Sequence, residues 1–314
     1  MENGWERTLP IIKVDDNIVK ELFCDIEYPD NILNIQLLNE GCRTTNYLVS
    51  TINNKKYVLK IFFHEDENYK TQIKIYEKLR EYVSMQKICS TGINSMDGRK
   101  YIIYEYVEGK TISENLRAGN KINKNIIRSV AHNLGKIHSI KFNIMGKLDE
   151  NLQVKNKIIS IINLYDKYIN ENVVMRLGND VVNNIKAIVK ENVEILENLK
   201  ADPRLIHGDY QGTNIVIDDD NVSAIIDWEL CMSGCPLMDI GQFFRYEEYF
   251  DMELINEFKN EYEKASDYLL IDEWYRISKI LDLISLLQII GRNEEMPNKY
   301  SDIKTIIEKF VFKD

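Results

Sequence analysis

The segment from Leu205 to Asp239, LIHGDYQGTNIVIDDDNVSAIIDWELCMSGCPLMD, constrains this chain more than any other part of it. Two short apolar runs, 215–217 and 222–226, flank Asp218-Asp219-Asp220-Asn221. Apolar, β-branched-rich runs around a polar turn-forming centre predict a β-hairpin. His207-Gly208-Asp209 precedes the first strand and Asp227 follows the second. A hairpin folds its ends together, so Asp209, Asn214 and Asp227 are expected at one mouth. Two carboxylates and a carboxamide crowded together call for a cation. An all-oxygen donor set suits Mg²⁺, which takes its other ligands from water and nucleotide phosphates. Phosphoryl transfer needs one group to orient the attacking hydroxyl and others to hold the metal. Asp209, at the start of the loop, fits the first task; Asn214 and Asp227 fit the second.

These motifs resemble the aminoglycoside phosphotransferase/choline kinase family, small-molecule kinases with a protein-kinase-like fold. The likeness rests on HGD-x4-N (His207 to Asn214), on Ile226-Asp227-Trp228-Glu229, and on Gly234-Cys235-Pro236-Leu237-Met238-Asp239. It implies an α+β, bilobal architecture. Residues 1–104 would form a small, mainly β N-lobe, and 105–314 a larger, mainly α C-lobe carrying the catalytic hairpin. It also implies transfer of the γ-phosphoryl group of ATP or GTP to a hydroxyl of a small molecule.

Several further residues take roles through the same resemblance. Lys60, an ammonium within the apolar strand 57–62, would hold nucleotide phosphates. Its burial without an anion would be costly. The Glu105 carbonyl and the Val107 N–H would read the base edge. Tyr104 would flank the back of that pocket, which leaves both ATP and GTP open as donors. Gln72 aligns with the glutamate that pairs with the strand lysine, a departure, since an amide cannot neutralise an ammonium. Glu67 and Glu77 lie five residues either side, about 140° round a helix, and cannot simply replace it. Asp239 would support the catalytic loop, and His138 reads as structural.

The acceptor is not written in any motif. An aminoglycoside-like polyamine sugar is the first expectation, and choline, ethanolamine, homoserine or a sugar would need the same catalytic parts. A non-catalytic nucleotide-binding relative is the alternative of a different class. The net charge of −10 argues against nucleic acid and anionic membranes as partners and is compatible with a cationic acceptor. Five cysteines, without framework spacing, point to reduced thiols in the cytoplasm. Cys231 and Cys235 lack the second pair that a structural zinc site wants. The opening Met1–Glu6 has no signal-peptide layout and no apolar run is long enough to span a bilayer.

Elsewhere the pattern predicts strands around 35–38, 47–50, 57–62 and 100–104, with a phosphate-covering loop at 39–46 and a turn-rich loop at 90–98. Helical periodicity is expected over 66–82, 126–140, 152–170, 180–200, 240–246, 252–268, 273–291 and 301–312. One or two helices are expected before residue 30. The acids between Glu247 and Glu273 read mainly as solvated helix faces, with a few available to an amine-binding pocket.

Overall fold

The structure, a computed structural model, describes residues 4–38, 44–64, 66 and 68–313. A short helix, α1 (Asp16–Leu22), begins at Asp15, whose carboxylate accepts from the Asn17 N–H. Five strands follow: β1 (Ile32–Leu38), β2 (Thr45–Thr51), β3 (Lys56–Ile61), β4 (Ile88–Ile93) and β5 (Lys100–Glu105). They form an antiparallel sheet in the order β1-β2-β3-β5-β4. Side chains of a strand alternate between faces. Tyr57, Leu59 and Ile61 therefore join Val19 and Phe23 in one core, whereas Lys60 and Ile102 lie on the other face. Helix α2 (Tyr69–Leu79) packs there, with Tyr69 edge-on to Phe62.

The remaining chain is mainly helical. A two-residue strand, β6 (Lys110–Thr111), leads into α3 (Ile112–Arg117), closed by a capping box between Thr111 and Glu114. Helix α4 (Lys124–Ile137) buries Ile126, Ile127, Val130, Leu134 and Ile137 on one stripe, starting from an Asn123 cap. Next come β7 (Gly146–Leu148), β8 (Val154–Lys157), α5 (Ile162–Tyr168), α6 (Glu171–Leu177), α7 (Asn179–Glu191), α8 (Val193–Asn198) and β9 (Arg204–Ile206). The hairpin is β10 (Ile215–Asp218) and β11 (Asn221–Ile225), joined through Asp219 and Asp220 and extended on one side by β6. Strand β12 (Met232–Gly234) joins a second small sheet in the order β8-β7-β12-β9. The chain ends in α9 (Pro236–Phe243), α10 (Met252–Ala265), α11 (Trp274–Ile290) and α12 (Pro297–Val311). No described helix is long and apolar enough to cross a membrane.

The helix expected over 180–200 divides at Asn192 into α7 and α8, and two further expectations need correction. Residues 152–170 are not one helix: the Asp149 carboxylate accepts from the N–H groups of Asn151 and Gln153, Leu152 turns to φ 58°, and Val154 starts β8. This Asx-type turn overrides helical periodicity. Residues 90–93 belong to β4 rather than to a loop, because pairing with β5 outweighs the weak strand preference of Ser90 and Gly92. Residues 39–43, expected over the nucleotide phosphates, lie outside the described residues, as does Glu67.

Helices α9 and α11 pack at unusually close range through Gly241, where a Cβ would land on the Ser278 carbonyl. Gly241→Ala is expected to destabilise the fold by about 1–3 kcal/mol through overpacking. A thermal melt checks this, and an unchanged midpoint would show that the two helices can separate without loss.

The N-terminal segment straps the two parts of the molecule. Trp5 Nε1 donates to Asp302 of α12 at 3.0 Å, Glu6 accepts from the Asn298 N–H at 2.8 Å, and Arg292 donates to Thr8 Oγ1 at 3.2 Å. A few residues on, Arg7 donates to the Thr44 carbonyl at 2.9 Å and the Ile12 N–H to Thr45 Oγ1 at 2.9 Å, both at the start of β2.

Candidate active site

Where β9 ends, the chain cannot continue its ladder. Gly208 takes φ 79°, a left-handed angle at which any Cβ would strike the Leu230 carbonyl. His207 is fully buried; its Nε2 lies 2.9 Å from the Ile226 carbonyl and its Nδ1 accepts from the Asp209 N–H at 3.3 Å. His207 thus braces the loop, and burial holds its imidazole below the usual range. Asp239, fully buried on α9, accepts from the N–H groups of His207 at 2.7 Å and Gly208 at 2.9 Å. His138 lies behind it, with Nε2 3.1 Å from Asp239 and Nδ1 2.8 Å from the Tyr262 hydroxyl. One turn along α9, Gln242 donates to the Gly208 carbonyl at 3.0 Å and accepts from the Tyr210 N–H at 2.8 Å. Gln242 belongs to no motif of the sequence; its i, i+3 spacing from Asp239 is the one signal that marks it.

Asp209 and Asn214 meet directly, and the main chain sets Asp227 next to them. Asn214 Nδ2 donates to Asp209 Oδ2 at 2.8 Å and to the Asp209 carbonyl at 2.9 Å. The Ile226 N–H donates to the Asn214 carbonyl at 2.9 Å, which fixes Asp227 beside the loop. Asp227 itself adopts the left-handed conformation, φ 68° and ψ 56°, rare for a residue with a side chain. With its amide nitrogen committed to Asp209, Asn214 offers its oxygen, and with Asp227 this makes an oxygen donor set of the kind Mg²⁺ accepts.

Lys60 reaches this cluster from β3. Its Nζ pairs with Asp227 Oδ1 and lies 3.7 Å from Glu229 Oε2. Burial opposes the charge of Lys60, but the two carboxylates outweigh it and hold the ammonium above its usual range. Asp227 is pushed the opposite way: burial raises it, and Lys60 more than offsets this, leaving the carboxyl below its usual range. Gln72 does not take part: it is buried, and neither atom of its amide has a hydrogen-bond partner. Glu77 pairs with Lys74 at 2.6 Å. Glu229 therefore occupies the neighbourhood of Lys60 that the helix glutamate was expected to fill, and Asn68 ties the start of α2 to the Glu229 carbonyl at 2.9 Å.

At the end of β5 the Glu105 N–H donates to the Lys87 carbonyl at 2.8 Å and the Tyr106 N–H to the Lys56 carbonyl at 3.0 Å. The chain then leaves the sheet, so Val107 falls just past the last ladder bond. Tyr104, half-buried on β5, has its phenol pushed up to about 12 by burial together with the nearby Asp227 and Glu229 carboxylates. Cys231 and Cys235 are buried free thiols, both pushed up to about 12 by burial. The acids of α10 are largely engaged by α4: Glu253 with Lys124 at 2.5 Å, Glu257 with Arg128 at 2.7 Å and Glu261 with His132 at 3.3 Å. These three are paired charges between two surface helices.

A β-sheet part and a helical part, joined at a strand end and enclosing this cluster, define a protein-kinase-like phosphotransferase. The chain belongs to the phosphotransferase enzyme family, whose model matches residues 34–274. It is a small-molecule phosphotransferase acting on hydroxyl groups. No curated protein sequence matches it. Among solved structures, it shares its fold with choline kinase LicA from Streptococcus pneumoniae, at 19% identity and a TM-score of 0.65 over 94% of this chain and 98% of that one. A thermostable mutant of aminoglycoside phosphotransferase APH(4)-Ia, in ternary complex with AMP-PNP and hygromycin B, is similar at 15% identity and a TM-score of 0.65 over 93% and 97%. Macrolide 2'-phosphotransferase MphH from Brachybacterium faecium is similar at 10% identity and a TM-score of 0.61 over 96% and 98%.

Proposed function

We propose that the chain transfers the γ-phosphoryl group of ATP or GTP to a hydroxyl of an aminoglycoside-like molecule in the cytoplasm, with lobes dividing near residue 104. The observation that carries this reading is the convergence of Asp209, Asn214, Asp227 and Lys60 from the two parts of the fold. Asp209 orients the acceptor hydroxyl and takes its proton late in a loose transition state. As the acceptor oxygen bonds to the γ-phosphorus, the bond from that phosphorus to the bridging oxygen breaks and the nucleoside diphosphate leaves. Asn214 and Asp227 would hold Mg²⁺, which supplies positive charge to the phosphates when bound. Lys60 steadies the α- and β-phosphates, and the Glu105 carbonyl and Val107 N–H read the base. The AMP-PNP and hygromycin B bound by the APH(4)-Ia structure support a nucleotide donor and an aminoglycoside acceptor. The fold shared with LicA supports choline as a second reading.

A screen of aminoglycosides, choline, ethanolamine, homoserine and sugars, with Mg²⁺ and either nucleotide, tests the proposal. Transfer to at least one acceptor is expected, abolished by EDTA and restored by excess Mg²⁺. Nucleotide binding without transfer to any acceptor would overturn the catalytic reading.

A further inference from the structure

Gln211 lies two residues beyond Asp209, in the same tight turn: its N–H donates to the Asp209 carbonyl at 3.0 Å and its carbonyl accepts from the Asn214 N–H at 2.9 Å. Its side chain points toward the helical part, where Arg245 Nη1 donates to Gln211 Oε1 at 2.7 Å. Arg245 is gripped in turn by Asp282 of α11, Nε to Oδ2 at 2.9 Å and Nη2 to Oδ1 at 2.7 Å, with a further bond to Ser285 Oγ at 2.9 Å. Both charged side chains are only 2% exposed.

An arginine has donors and no acceptor, so it can meet only the oxygen of the Gln211 amide. That forces the NH₂ group to the other side. There it has no partner among the described residues and is not sealed in the interior, since Gln211 is half-buried and absent from the buried, unpaired polar atoms. The loop backbone is already held by Asp239 and Gln242. What the Arg245 bond adds is therefore the orientation of one amide. A buried ion pair carries a large desolvation cost, and here it fixes the amide of a residue two positions from Asp209, in the turn that the Gln211 N–H closes on the Asp209 carbonyl.

We infer that Gln211 is a specificity residue of the acceptor site. Its NH₂ donates to a second oxygen of the acceptor, close to the hydroxyl that is phosphorylated. This rests on the proposed function and deepens it. The site should favour molecules with neighbouring oxygens, as in a sugar ring, over choline. Choline has one oxygen, the one that reacts, and its quaternary ammonium would face the positive end of the amide.

The test compares wild type, Gln211→Glu and Gln211→Met on hygromycin B, kanamycin, glucose and choline, with Mg–ATP and Mg–GTP. Wild type is expected to prefer a sugar-containing acceptor to choline. Both variants should raise the KM for that acceptor about tenfold, the effect of losing one hydrogen bond, while the KM for nucleotide stays put. The glutamate variant is decisive. Its carboxylate still accepts from Arg245 and keeps the turn anchored, yet it has nothing to donate. If Gln211 were only an anchor, Gln211→Glu would have the wild-type acceptor KM and Gln211→Met alone would lose melting temperature. That result, or a wild-type preference for choline, overturns the inference while leaving phosphoryl transfer intact. A wild type that phosphorylates nothing in the panel removes both.

Discussion

Asp209→Ala is expected to lower kcat for acceptor phosphorylation by about 10²–10⁴-fold, the contribution of a positioned proton acceptor, with nucleotide affinity within about twofold of wild type. The substitution is a clean one. Asn214 Nδ2 bonds to the Asp209 backbone carbonyl at 2.9 Å as well as to the carboxylate, so it keeps its orientation when the side chain is removed. Asp239 and Gln242 continue to hold the loop through main-chain groups. Asp209→Asn, nearly isosteric, should match the alanine variant in turnover. A coupled assay for diphosphate release and a fluorescent-nucleotide titration separate the two quantities. Normal turnover in either variant rejects the role assigned to Asp209.

Arg245→Met is expected to destabilise the fold by about 3–5 kcal/mol, because it strands the Asp282 carboxylate without its partner in the interior. Burial pushes that carboxyl up, and Arg245 more than compensates, holding it below its usual range. Asp282→Leu should cost a similar amount by stranding the guanidinium. The double variant, Arg245→Met with Asp282→Leu, is expected to recover most of the loss, since two apolar side chains need no charge compensation. Urea unfolding of the four proteins closes the cycle, and strictly additive losses would show that the pair is uncoupled. The double variant should also show the raised acceptor KM of the Gln211 variants, because nothing then turns the amide.

Local chemistry made the catalytic hairpin legible in advance. A polar turn between apolar runs specifies the β10–β11 pairing, which sets Asp227 beside Asn214, while Asn214 itself reaches back to Asp209. The stripe of α4 is equally readable, because its burial follows one helical period, whereas α11 is buried on nearly every side and reads as an apolar run. Contacts without a local signature are not readable. The family resemblance puts the partner of Lys60 on α2, at Gln72, whereas the strand lysine meets Asp227 and Glu229 across more than 160 residues of chain. Nothing in a sequence window announces that Arg245 and Asp282, on either side of α10, will close on each other. Strand β4 and the turn at 149–153 depart from the local pattern for the opposite reason: a neighbouring strand and a carboxylate cap decide them over intrinsic preference.

The strap formed by residues 5–12 changes how the molecule can move. A kinase-like fold joined only through its connecting peptide has a single pivot, about which one half is free to swing and twist. Here a non-covalent tether also runs from α12 to the start of β2. It stands beside the Lys60–Asp227 pair and the Asn68–Glu229 bond, which cross between the same parts, so any opening that separates α12 from β2 must first peel the strap away.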